Sequence, residues 1–217
     1  MNFARNSFAA QRGRMVRDQL AGRGIRDARV LAAMGSVPRH EFVLESLRQD
    51  AYEDHPLPIG EGQTISQPYI VAAMLEHLAL QPTDRVLEVG TGSGYVTALL
   101  SALCTEVFSV ERHASLAASA TALLDRFGYR NVRVKVGDGS LGWLENAPFD
   151  AVLVSAATAE VPTSLFEQLK EGGRMIIPVG SPTSQDLQLI RKVNSEPEVQ
   201  QLEGCRFVPL VGGEVPR

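Results

Sequence analysis

Residues 86–94 read VLEVGTGSG, and this stretch decides the fold. Glycines at 90, 92 and 94 follow a short apolar run and precede a helical pattern that starts at Tyr95. Glycine at the exit of a strand permits a tight turn and lets backbone approach a ligand closely. The spacing is G-x-G-x-G. A dinucleotide fingerprint would need glycine at position 95, which holds tyrosine. A phosphate-binding loop is excluded too, because no Lys-Ser or Lys-Thr follows the glycines. Glu88, two residues before Gly90, would repel a pyrophosphate and suits a cationic ligand.

Two more acids extend the pattern. Glu111 ends the next strand-like run, about 20 residues beyond the glycine turn, where an acid accepts hydrogen bonds from ribose hydroxyls. Asp138, within Gly137-Asp138-Gly139, follows a third run and is placed to accept from an adenine amino group. Singly, Glu111 reads as a helix-start acid and Asp138 as a turn residue. Together with Glu88 they predict a pocket for a positively charged nucleoside without phosphate, a description that S-adenosylmethionine meets. The expected contacts are Glu88, Gly90, Thr91, Gly92, Ser93, Gly94, Glu111, Asp138 and Gly139.

Working outward, strand-like runs at Arg85–Val89, Glu106–Val110, Val132–Val136, Asp150–Ser155 and Arg174–Val179 alternate with helical segments at Tyr95–Leu103, His113–Phe127 and Pro162–Lys170. Such alternation predicts an α/β fold with a Rossmann-like, mostly parallel sheet and helices on both faces. After Gly180 the alternation stops. Leu187, Leu189 and Arg191 alternate with polar neighbours, a turn is expected at Ser195–Glu198, and a last strand carries Cys205, Phe207 and Pro209, so an antiparallel C-terminal hairpin should form one edge. Upstream, residues 7–47 are expected to be helical, broken at Gly22 and Gly24 and restarted at Pro38. Six arginines between Arg12 and Arg29 read as a solvated face. Residues 52–67 form a long Pro- and Gly-rich segment with Tyr52, Leu57, Ile59 and Ile65 in it, which predicts a packed, functional loop. A helix then starts near Pro68. The expected organisation is one structural domain, with residues 1–80 packed on a core of residues 81–217.

Composition is that of an ordinary globular chain: 217 residues, 44% hydrophobic and 21% charged, with a net charge of -4 that argues against nucleic-acid or anionic-membrane partners. The two cysteines, Cys104 and Cys205, form no CxxC pair and no metal cluster, so no metal is expected. The absence of a signal-like N-terminus or a long apolar run leads to the expectation of a cytoplasmic monomer.

Gln63-Thr-Ile-Ser-Gln-Pro-Tyr69, Val37-Pro-Arg-His40, Val86–Gly94 with Tyr95, Gly137-Asp138-Gly139, Gly172-Gly173-Arg174, Ile177-Pro-Val-Gly180 and Phe207-Val-Pro-Leu210 resemble, in order, the motifs of protein-L-isoaspartate O-methyltransferases. The resemblance implies repair of damaged proteins and peptides by methyl transfer from S-adenosylmethionine to the side-chain-linked carboxylate of isoaspartyl residues. It implies Ser66 as the active-site hydroxyl, Glu88 and Glu111 as holders of the methionine amino group and ribose, and Asp138 and Gly139 as the adenine-binding pair. The family often has Asp where this chain has Glu88. Ile59, Thr64, Ile65 and Gln67 are expected to contact the peptide. By its spacing alone, Ser66 also reads as the N-cap of the following helix, and the two roles are compatible. The alternative reading is a methyltransferase acting on a small molecule or RNA, which would share the cofactor half and have no need of Ser66-Gln67-Pro68.

Overall fold

The computed structural model describes residues 2–213, with side chains from residue 8 onward. The apolar runs become a seven-stranded sheet. Strands β3 (Arg85–Val89), β4 (Glu106–Glu111), β5 (Val132–Val136), β6 (Phe149–Val154) and the start of β7 (Leu169–Ser181) run parallel, and β8 (Ser184–Val193) and β9 (Glu196–Cys205) complete an antiparallel meander with β7. The order is β5-β4-β3-β6-β7-β8-β9, so the chain reverses its direction of travel between β3 and β6. Ligands bind at such a switch point, outside the carboxyl ends of the strands.

Side chains alternate across each strand, which gives the sheet two cores. One face, with Val86, Val107, Leu153 and Ile176, packs on α2 (Ala28–Ser36), α3 (Pro68–Leu78), α4 (Tyr95–Leu103) and α5 (Ala114–Phe127). The other, with Leu87, Phe108, Phe149, Val152 and Met175, is closed by α6 (Thr163–Glu167) and Trp143. The first core is continuous from Met15 in the N-terminal layer to Leu187 in β8.

Several expectations change. Residues 52–67 are not all loop, because β1 (Leu57–Gly60) and β2 (Gln63–Ile65) pair as a hairpin. The helix expected at Pro162–Lys170 stops at Glu167, because Leu169 is drawn into β7 opposite Phe149. The last turn falls at Asn194-Ser195, both at positive φ, so β9 starts at Glu196 and ends at Cys205, and Phe207 and Pro209 lie beyond it. The segment after Pro38 holds only short 3-10 turns. Five of the six N-terminal arginines, Arg14, Arg17, Arg23, Arg26 and Arg29, are exposed as expected, yet two of the six also fasten the layer: Arg12 donates to the Gly35 carbonyl at 2.7 Å, and Arg29 to the carbonyls of Leu80 and Leu103 at 2.5 Å each.

Arg174 is the main clasp between α3 and the sheet. It donates to the carbonyls of Leu78 and Ala79 at the C-terminus of α3 (2.6 and 3.0 Å) and pairs with Asp84 at 2.6 Å. Both side chains of the pair are nearly buried, at 11% and 8% exposed. Removing one partner strands the other charge, so Arg174→Met is expected to cost about 3–5 kcal/mol in denaturant unfolding, against at most ~1 kcal/mol for an exposed pair. A loss within that smaller range would count against the clasp.

Candidate active site

The backbone turns from β3 into α4 through glycines at φ +94° (Gly90), +53° (Gly92) and +85° (Gly94), a region that side chains with a Cβ avoid. The turn is tied down at both ends: Gly90 N–H donates to the Val110 carbonyl at 2.9 Å, and Gly94 N–H to the Thr91 carbonyl at 2.8 Å. Gly90, Thr91, Gly92 and Ser93 line a cavity over the ends of β3, β4 and β6. Gly94 does not. It starts α4 and lets α5 approach, since a Cβ there would stand 3.2 Å from the Ala120 methyl. In the fold its visible part is this packing.

Glu111 lines the cavity, 5% exposed, and accepts from Gly92 N–H at 2.8 Å and His113 N–H at 2.9 Å. Each carboxylate oxygen keeps a further lone pair for a ribose hydroxyl. Gly139 lines the cavity, and a Cβ there would fall 2.4 Å from the Val89 side chain, so glycine is what lets this turn pack against β3. No cluster of His, Cys, Asp or Glu able to hold a metal occurs among the described residues.

Two of the predicted cofactor acids are placed differently. Glu88 is fully buried and does not line the cavity. Its Oε2 accepts from Thr97 and Ser109 hydroxyls at 2.6 Å each, its Oε1 has no partner, and Ser109 Oγ lies 2.5 Å from Thr91 Oγ1. Glu88 therefore reaches the cavity only through Ser109 and Thr91. Burial, only partly offset by those hydroxyls, pushes its carboxyl up to about 8. The side chains of a strand alternate, and position 88 faces α4 where Val89 faces the cavity. Asp138 is also outside the cavity lining. Its Oδ1 caps the turn at Ser140, through N–H and Oγ at 2.9 and 2.7 Å, and its Oδ2 accepts from Gly213 N–H at 2.7 Å. Partial burial opposes ionisation, yet the bonds from Ser140 and Gly213 and the nearby Arg112 hold its carboxyl below the usual value.

A wider cleft of about 780 Å³ opens beside the cavity, lined by Pro56, Ser66, Gln67 and Ile70 on one wall and by residues 183–186 and 204–208 on the other. Thr64, Ser66, Ser155 and Val208 line both spaces. The Ser66 hydroxyl has no hydrogen-bond partner among the described residues. It does not cap α3: Gln67 is the N-cap and its side chain makes no capping bond to the helix. The N-terminus of α3 is held instead by Asp54, which accepts from Tyr69 N–H at 3.2 Å and Gln67 Nε2 at 2.8 Å and pairs with Arg23. Of the expected peptide contacts, Thr64 and Gln67 line the cleft, Ile65 lines only the cavity, and Ile59 packs against Gly92.

The sequence reading missed Ser155 and the strap of residues 206–211. Ser155 sits at the end of β6, beside the switch point, a position that strand order alone would have flagged. The strap hangs from Gln185, whose side chain exchanges two hydrogen bonds with the Phe207 backbone, and from Ala157, which pairs with Val208 and Leu210. The Phe207-Val-Pro-Leu210 motif lies in it, but its place over the cavity follows from these long-range bonds.

Strand order, glycine turn, ribose-level acid and adjoining cleft define a methyltransferase of the S-adenosylmethionine-binding α/β fold. The family model for protein-L-isoaspartate(D-aspartate) O-methyltransferase matches residues 11–215. A protein-L-isoaspartate O-methyltransferase of Koribacter versatilis is 56% identical over 95% of this chain and 93% of its own, and one of Syntrophus aciditrophicus is 52% identical over 94% and 95%. A solved protein-L-isoaspartate O-methyltransferase superposes with a TM-score of 0.84 at 32% identity, over 94% of this chain and 67% of that one. A Plasmodium falciparum protein described as a family member, solved in complex with S-adenosyl-L-homocysteine, gives a TM-score of 0.81 at 28% identity, over 94% and 98%. The chain belongs to the protein-L-isoaspartate(D-aspartate) O-methyltransferase family.

The buried acid has a pH signature. Folded Glu88 keeps its proton to about pH 8, while its ordinary value is 4.5. The native state thus binds more protons across that window and loses stability as pH rises through it. Melting temperature should fall more between pH 5 and pH 8 in the wild type than in Glu88→Gln. Equal falls in both proteins would show that Glu88 is already ionised in the fold.

Proposed function

We propose that the chain transfers a methyl group from S-adenosylmethionine to the side-chain-linked carboxylate of L-isoaspartyl residues in damaged proteins and peptides, acting as a cytosolic monomer. The observation that carries this reading is the meeting of two spaces, a nucleoside-sized cavity and a peptide-sized cleft, at Ser66. The cavity suits the donor: Glu111 accepts from ribose, Gly139 floors the adenine, and Gly90–Ser93 admit close backbone contact. When bound, S-adenosylmethionine supplies an electrophilic methyl group on a positively charged sulfur.

The rest is done by the chain. An isoaspartyl carboxylate has a free pKa near ~4, so it is ionised at neutral pH and needs no general base. The task is orientation, and near-attack placement can account for ~7–11 kcal/mol of a barrier. The Ser66 hydroxyl, which has no partner among the described residues, holds one carboxylate oxygen. Ser155, which lines both spaces, is placed to donate to the other. The hairpin β1–β2, tied to α5 by Ser115 Oγ on Glu61 at 2.6 Å, keeps Thr64 and Ser66 over the cavity. The two thiols, Cys104 and Cys205, are free, in keeping with a reducing compartment.

Labelled-methyl transfer to paired peptides that differ only in Asp or isoAsp linkage tests the reading directly. Label should enter the isoaspartyl peptide alone, and equal labelling would overturn the substrate assignment. Ser66→Ala is expected to lower kcat roughly 10²-fold, the scale of one lost transition-state donor, while calorimetry finds donor affinity unchanged. Undiminished turnover would remove Ser66 from the active site.

A further inference from the structure

Arg39 is the largest fully buried side chain that bears a charge, at 0% exposed, and no carboxylate pairs with it among the described residues. A buried guanidinium is usually matched to an acid, because the cost of desolvating it is several kcal/mol. Here it meets carbonyls instead. Nε donates to the Ala51 carbonyl at 2.7 Å and one terminal nitrogen to the Ser66 carbonyl at 2.8 Å, while Nη1 has no partner. The guanidinium also lies 5.0 Å from the centre of the Tyr95 ring, which lines the donor cavity. The acid whose charge acts on it, Asp54, is taken up by Arg23, Gln67 and Tyr69. Burial lowers the guanidinium to about 10, which leaves it charged at neutral pH.

The bond to Ser66 has a geometric consequence. The Ser66–Gln67 peptide is planar and trans, so its C=O and N–H point in opposite directions. Drawing the carbonyl inward onto Arg39 turns the Gln67 N–H outward. That N–H donates to no acceptor among the described residues, and both Ser66 and Gln67 line the peptide cleft.

We propose that Arg39 is a positioning residue for methyl transfer: it locks the Ser66–Gln67 peptide plane so that the Gln67 N–H and the Ser66 hydroxyl together hold the substrate carboxylate. Its unneutralised charge also favours an anion at that turn. A neutral residue would free the plane to rotate and would remove the favourable field. The inference rests on the isoaspartyl reading above.

The test uses steady-state kinetics on an isoaspartyl peptide, with the wild type as the control. Arg39→Met should lower kcat/KM roughly 10- to 100-fold, the scale of one charged hydrogen bond, with the calorimetric Kd for S-adenosylhomocysteine changed by less than about 3-fold. Arg39→Lys, which keeps the charge and can reach one carbonyl, should recover part of the loss. In a Ser66→Ala background the Arg39→Met effect should shrink, because the two act as one unit. Folded Arg39→Met with wild-type kcat/KM, or losses that add fully with Ser66→Ala, would overturn the proposal. A second measurement needs no variant: in wild-type protein holding S-adenosylhomocysteine, the Gln67 amide resonance should shift and its exchange slow when isoaspartyl peptide is added. An unmoved Gln67 amide also overturns the role. A wild type that fails to label the peptide at all sinks the functional reading instead, so the two failures are told apart.

Discussion

The structure depends on a reversal of the backbone between β3 and α4. In five residues the chain must leave the sheet, pass over the end of β4 and enter a helix, and it does so with three glycines at positive φ. Each does a different job. Gly90 lies against Ser155 at the end of β6, Gly92 offers its N–H to Glu111, and Gly94 admits α5. The same turn fixes the ends of three neighbouring strands and leaves a cavity above them, so folding and ligand binding are met by one piece of backbone.

What stands over that cavity distinguishes this chain from a generic nucleoside binder. The β1–β2 hairpin on one side and the strap after β9 on the other narrow the opening to a junction of four residues, Thr64, Ser66, Ser155 and Val208. A long peptide can lie in the cleft while a small donor remains in the cavity, and the two reactants meet only at the junction. Catalysis by orientation needs such a wall on each side, because the displacement demands a line of approach rather than a proton relay.

Buried charge is handled in three ways. Arg174 and Asp84 neutralise each other at the seam between α3 and the sheet. Glu88 is held among hydroxyls at a raised pKa, so that its buried form is the neutral acid. Arg39 keeps its charge and spends its donors on carbonyls. The first arrangement serves stability. The other two lie beside the donor cavity and the serine turn, where an unmatched group affects how a charged ligand sits.

The sequence by itself determined the strand–turn–helix unit, the parallel core and the class of ligand, because glycine spacing and alternating apolar runs act over a few residues and need no distant partner. It also singled out Ser66 and Glu111, which both line the cavity and whose places follow from the ends of their own elements. It did not show how Glu88, Asp138 and Gly94 sit in the fold, because which face a strand residue takes and which neighbour fills a carboxylate's lone pairs are settled by other elements: Thr97 and Ser109 for Glu88, Gly213 for Asp138, Ala120 for Gly94. The strap over the cavity and the burial of Arg39 beneath the serine turn were decided only in three dimensions. They arise from contacts between residues 12 to 53 positions apart, from Arg39 on Ala51 to Leu210 on Ala157, where local pattern carries no information and the energy of packing makes the choice.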